Sequence, residues 1–96
     1  MSRKRLRDRR SARIVMFEHD NRIYRATFAC LDDGGLGEIF LDVGKANAAI
    51  QVHADDSAVL VSLLLQHGVS AAVIRRSISG PISVALQMWL CGEVEE

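Results

Sequence analysis

Ninety-six residues make one domain and leave no room for a second, and a chain of this size buries roughly 60–65% of the surface its unfolded form exposes. Hydrophobic residues at 49% with charged residues at 25% belong to a folded globular domain and exclude a disordered chain. The formal charge of zero hides an asymmetry. Arg3, Lys4, Arg5, Arg7, Arg9, Arg10 and Arg13 are opposed only by Asp8, so residues 1–13 carry +6, and the five basic and eleven acidic residues that follow carry −6.

In chain order, residues 1–13 read as a basic disordered arm. Such an arm either contacts a polyanion, nucleic acid being the obvious one, or is drawn to its own acidic body by an attraction that salt screens. Strand-like residues follow it instead of an apolar core and a small-residue cleavage site, so it is no secretory signal. The longest apolar run, "AVLVSLLL" at 58–65, falls short of the roughly 18–20 residues that cross a bilayer. These features point to a cytoplasmic protein without a membrane partner.

"RIVMFEH" and "RIYRATFACL" are rich in β-branched and aromatic residues and are separated by the turn-forming pair Asp20-Asn21, which predicts a β-hairpin. Alternation puts Tyr24, Ala26, Phe28 and Cys30 on one face of the second strand and Arg25 and Thr27 on the other. "DDGG" at 32–35 supplies a second turn. The third strand, "LGEIFLDV", has Ile39, Leu41 and Val43 on one face and Glu38, Phe40 and Asp42 on the other. Its outer edge is expected to be open, which is compatible with a homodimer.

The period changes at residue 54. "ADDSAVLVSLLLQHG" opens with two acids suited to a helix N-terminus and closes on His67-Gly68. Being nearly all apolar, this helix is expected to lie buried between neighbours, with Asp55, Asp56, Ser62 and Gln66 on a narrow face that reaches water. "VSAAVIRRSISG" predicts a second helix capped by Ser70 and ended by Gly80. Pro81 fits the first turn of a third, whose residues Ile82, Ala85, Leu86, Trp89 and Leu90 form one core-facing stripe. Strands followed by helices give an α+β fold, a three-stranded antiparallel meander with about three helices packed on one face. The domain is placed at residues 14–92, with an acidic tail at 93–96.

Catalytic signals are sparse. His19, His53 and His67 fall in a hairpin turn, a loop and a helix end, without metal-ligand spacing to each other or to a cysteine. Cys30 and Cys91 belong to no CxxC pair and read as buried free thiols, not a zinc site or disulfide. "GGLG" sits in a hairpin and does not open a helix, so it is no phosphate loop. No catalytic residue, metal or cofactor is assigned. A small hydrolase or transferase lacks its nucleophile–base pair.

The segment "GEIFLDVGKAN" at 37–47 gathers Glu38, Asp42, Gly44, Lys45 and Asn47 around a strand end. Gly44 permits a sharp exit, Lys45 can reach across the sheet edge and Asn47 can bind through its amide, which makes these five the candidate ligand or partner site. The plainer alternative is an ion pair of Lys45 with Asp42 or Glu38, worth little when exposed.

The string "LGEIFLDVGKA" (36–46) and the helix-ending "SLLLQHGV" (62–69), in this order and spacing, resemble the TSCPD domain. That domain is found at the C-terminus of adenosylcobalamin-dependent ribonucleotide reductases and in small stand-alone bacterial proteins. The resemblance runs from about residue 14 to 90. Where the family has Ser-Cys-Pro-Asp, this chain reads Ser79-Gly80-Pro81-Ile82, losing the thiol and the carboxylate and with them any redox or metal role of the motif. Ninety-six residues also cannot hold a reductase barrel. The resemblance therefore implies a non-catalytic accessory module whose partner is a protein, such as a ribonucleotide reductase or another enzyme of nucleotide metabolism. The alternative is a nucleic-acid-binding protein that acts through Arg3, Lys4, Arg5, Arg7, Arg9, Arg10 and Arg13.

Overall fold

The computed structural model describes residues 12–44 and 48–93. Six of the seven arm cations, from Arg3 to Arg10, lie outside the described residues, as do Lys45, Asn47 and residues 94–96. Six elements follow one another: β1 (Arg13–His19), β2 (Arg22–Cys30), β3 (Leu36–Val43), α1 (Ala48–Gln66), α2 (Ala71–Ser77) and α3 (Pro81–Leu90). The sheet is an antiparallel meander in the order β1-β2-β3, and the α+β architecture is as its sequence predicts. Arg13, placed in the arm by composition, is the first residue of β1.

The hairpin between β1 and β2 is closed by Asp20 and Asn21, both at positive φ (52° and 62°). Two positive values at the central positions twist the chain in the sense of the flanking strands, and Asp and Asn tolerate them better than most side chains. The turn before β3 depends on Gly34 at φ 89°, while the Asp33 carboxylate accepts from the Gly35 N–H at 2.9 Å. Alternation along the strands then places Tyr24, Ala26, Phe28, Ile39 and Leu41 on the inner face, all buried. Ala54, Ala58, Val61 and Leu65 of α1, Ile74 of α2, and Ile82, Ala85 and Leu86 of α3 pack on them to form one core.

The helices depart from the sequence reading at several points. α1 begins at Ala48, so Asp55 and Asp56 lie in mid-helix and His53 is helical instead of in a loop. Gly68, at φ 94°, ends it: the N–H groups of Gly68 and Val69 donate to the carbonyls of Leu65 and Leu64, a C-cap that glycine makes without strain. Ser70 caps α2 as expected, its hydroxyl accepting from Val73 N–H at 3.2 Å, but α2 stops at Ser77 and Gly80 serves instead as the N-cap residue of α3. Within the α3 stripe, Ile82, Ala85 and Leu86 are buried, Trp89 is half-buried and Leu90 is exposed. Of the cysteines, Cys30 is buried and Cys91 is exposed.

The largest correction concerns the polar residues of α1. Ser62 and Gln66 do not face water; they are 7% and 1% exposed and aim at β3. The Ser62 hydroxyl accepts from Ile39 N–H at 2.9 Å and donates to Ile39 C=O at 3.2 Å. Gln66 Nε2 donates to Gly37 C=O at 2.9 Å. Gln51 accepts from Val43 N–H at 3.1 Å and donates to Leu41 C=O at 3.2 Å. Residues 51, 62 and 66 lie on one face of the helix, and residues 37, 39, 41 and 43 turn their backbone groups to the side of β3 away from β2. Side chains of α1 thus take the place of a fourth strand, and the β3 edge expected to be open is closed.

The opposite face of α1 is apolar and uncovered, where burial between neighbours was expected: Val52, Val59, Leu60, Leu63 and Leu64 are all exposed. The helix is also 19 residues long and apolar enough to meet the length and composition of a membrane span, which the run at 58–65 did not suggest, although three of its polar side chains are engaged by β3.

Candidate functional site

The outward residues of β3 and the near flank of α1 enclose a groove of about 320 Å³. Strand alternation brings Glu38, Phe40 and Asp42 to its sheet side, and the helix contributes Asp55, Val59 and Leu63. Phe40 is 51% exposed, an aromatic ring on the solvent face of a strand that otherwise shows carboxylates. Asp42 is ion-paired with Arg25 of β2 at 3.1 Å, with both side chains half exposed, so its partner is a cross-strand arginine directly opposite it in register. Asp55 accepts from Gln51 Nε2 at 2.8 Å, which joins the groove to the edge-closing contacts of α1.

Of the five residues marked by the sequence, Glu38 and Asp42 line the groove. Gly44 continues the ladder through its N–H to Ile23 C=O at 2.9 Å, and a Cβ there would stand at ordinary contact distance, 3.5 Å, from that oxygen. A side chain would therefore fit at Gly44, and the exit beyond it lies outside the described residues. Lys45 and Asn47 lie outside the described residues. Phe40 and Asp55 were missed. The signal for Phe40 was present as a large ring on the polar side of an alternating strand, whereas Asp55 was misread as a helix start.

Chemically, the groove offers carboxylates around an apolar floor, an arrangement that suits a partner presenting an apolar side chain beside a cation. Its hydroxyl, that of Ser62, is committed to the backbone of Ile39 and is not placed as a nucleophile. Among the described residues no group of three or more His, Cys, Asp or Glu could hold a metal ion. His67 Nδ1 lies 2.8 Å from Leu63 C=O, and His19 stands 3.7 Å from Asp20 at the hairpin. Arg13, the described member of the basic arm, has its guanidinium 5.3 Å from the centroid of the Trp89 ring, which itself packs against Phe28 at 5.2 Å.

A second cavity, about 460 Å³, separates α1 from the corner between α2 and α3. Its walls are apolar, with Leu60, Leu64, Ile74 and Ile78 prominent, and Gly80, Pro81 and Ile82 border it. A Cβ at Gly80 would meet nothing within 4 Å. Packing therefore does not force glycine at this position.

Comparison with known proteins adds one short likeness. Thirty-eight residues of this chain are 53% identical to part of the vitamin B12-dependent ribonucleotide reductase of Bradyrhizobium diazoefficiens. No family model matches the chain, and no solved structure does. The match covers 40% of this chain and 3% of that enzyme, so what the two share is a short stretch of a ribonucleotide reductase sequence.

Proposed function

We propose that this chain is a non-catalytic binding module of the TSCPD type, linked to nucleotide metabolism, which holds a protein partner in the groove beside β3. The observation that carries this reading is the 38-residue likeness to a ribonucleotide reductase. The groove lined by Glu38, Asp42, Asp55 and Phe40 supplies a surface of suitable chemistry. The partner is a ribonucleotide reductase or another nucleotide-metabolism enzyme, and Glu38, Asp42, Gly44, Lys45 and Asn47 border the contact.

Capture from the native host with the full chain as bait, after nuclease treatment, tests this. Phe40→Ala and Lys45→Glu are each expected to lower recovery of a nucleotide-metabolism enzyme by about tenfold, with the thermal midpoint nearly unchanged because Phe40 is already half exposed. Recovery that tracks loss of folding, or that both variants leave intact, would remove the groove from the function.

A second reading rests on the charge of residues 1–13: the arm binds nucleic acid without sequence preference, through counterion release. Six arm cations on phosphates would weaken binding roughly a thousandfold between low and near-physiological salt. Arg13 contributes less in this account, since its side chain is stacked on Trp89. Affinity that stays flat with salt would dispose of it.

A further inference from the structure

α1 is apolar on both sides, and a helix of that kind is normally covered all round. Its inner face is in the core, but Val52, Val59, Leu60, Leu63 and Leu64 on the outer face are each 39–62% exposed. On that face Ala49, Val52, Asp56, Val59 and Leu63 recur at alternating steps of three and four, the spacing of a seam between two packed helices. We infer that this face is a two-fold homodimer interface in which α1 of one copy packs against α1 of a second.

Within residues 1–96 the segments outside the six elements are too polar to cover the face. Residues 1–11 carry six cations and only Met1 and Leu6 as large apolar side chains, and residues 45–47 and 94–96 add only Val94. A lipid surface is a poor fit, because α1 has no Lys or Arg to meet anionic headgroups, and withdrawing it into a bilayer would strip five backbone groups of β3 of their partners. The outer face of the sheet also shows apolar residues, but the Arg25–Asp42 ion pair sits among them.

The dimensions agree with a second copy. Five aliphatic side chains at these exposures leave on the order of 400 Å² of apolar surface, the size of the largest patch a monomer carries. A two-fold axis uses the patch twice. With Ala49, His53, Asp56 and Ile78 at the margins, the total approaches the roughly 1,200 Å² at which specific interfaces begin. The cavity between α1 and α2–α3, walled by Leu60, Leu64, Ile74 and Ile78, receives side chains of the partner helix. Because the β3 edge is closed by Gln51, Ser62 and Gln66, the copies meet through helices and not by extending the sheet on that side.

Val59 and Leu63 of this face also line the groove, so the test uses Leu60 and Leu64, which line the cavity and not the groove. Sedimentation equilibrium of the full chain is expected to show a reversible monomer–dimer system. Leu60→Glu should raise the dissociation constant by about a hundredfold or more, since each substitution acts twice at the axis, and leave the far-UV circular dichroism of the monomer unchanged. Should that variant fail to fold, Leu64→Ser makes the same test more mildly. Asp56→Leu should tighten the dimer by completing the seam, an effect that a purely intramolecular role for α1 would not produce. A full chain that stays monomeric up to its solubility limit, a dimer indifferent to Leu60→Glu and Leu64→Ser, or a monomer that floats with lipid vesicles would each overturn the inference.

Discussion

Ser62 shows how much a single hydroxyl can hold. It satisfies both backbone groups of Ile39 in a place that is 7% exposed, so Ser62→Ala leaves a buried donor and a buried acceptor without partners. Such orphaning costs about 1–3 kcal/mol, and urea unfolding of Ser62→Ala should show a midpoint lowered accordingly. Ser57 is the matched control, since its hydroxyl only donates to His53 C=O one turn back in the same helix, and Ser57→Ala should fall within about 0.5 kcal/mol of the parent. The two thiols differ in the same physical way. Cys91 is exposed and Cys30 is 3% exposed, so a thiol reagent should modify one cysteine at once and the other only at the rate of unfolding. Two fast equivalents would mean that β2 opens far more readily than its burial implies. Asp42 and Arg25, by contrast, pair at 3.1 Å while half exposed; a double-mutant cycle should give at most about 1 kcal/mol of coupling, shrinking as salt is added.

At the level of elements, α2 is the one held most by its ends. It has seven residues, too few to be stable by propensity, and its first turn is secured by the Ser70 hydroxyl; Ser70→Ala is expected to lower stability by about 1 kcal/mol in a thermal melt. The sheet was legible because two-residue alternation and the Asp20-Asn21 and Asp33–Gly35 turns are local signals, and each kept its meaning in the fold. α1 was legible as a helix but not in its bounds or orientation. Asp55 and Asp56 looked like an N-terminal turn, while the true start lies at Ala48, where small and apolar residues mark no boundary. Ser62 and Gln66 looked like a solvent-facing strip, because periodicity separates polar from apolar without saying what satisfies the polar side. Here a strand edge satisfies it, and that partner is 23 to 29 residues away in sequence. The groove was half legible for the same reason: Glu38 and Asp42 share a strand with Phe40, whereas Asp55 reaches them only through the packing of α1 on β3.

For the whole molecule, the core ties the sheet to α3 at Phe28, which is fully buried and packs against Trp89; Phe28→Ala should cost about 3–5 kcal/mol in equilibrium unfolding, enough to bring a domain of this size close to unfolding. The described body carries acids around an apolar groove and an exposed apolar helix face, while the cations cluster before residue 14, so the helix face relies on apolar burial, the groove on burial and charge together, and the arm on charge. Added salt should therefore weaken whatever the arm holds and leave contacts made through α1 nearly untouched, a contrast readable in one titration. The closing of β3 by α1 has a further effect on motion. The amide protons of Ile39 and Val43 are held by side chains of a helix instead of by another strand, so neither exchanges with solvent until that helix lifts away. Their deuterium uptake is thus a clock for helix undocking, and the two should slow together under any condition that presses α1 more firmly onto the sheet.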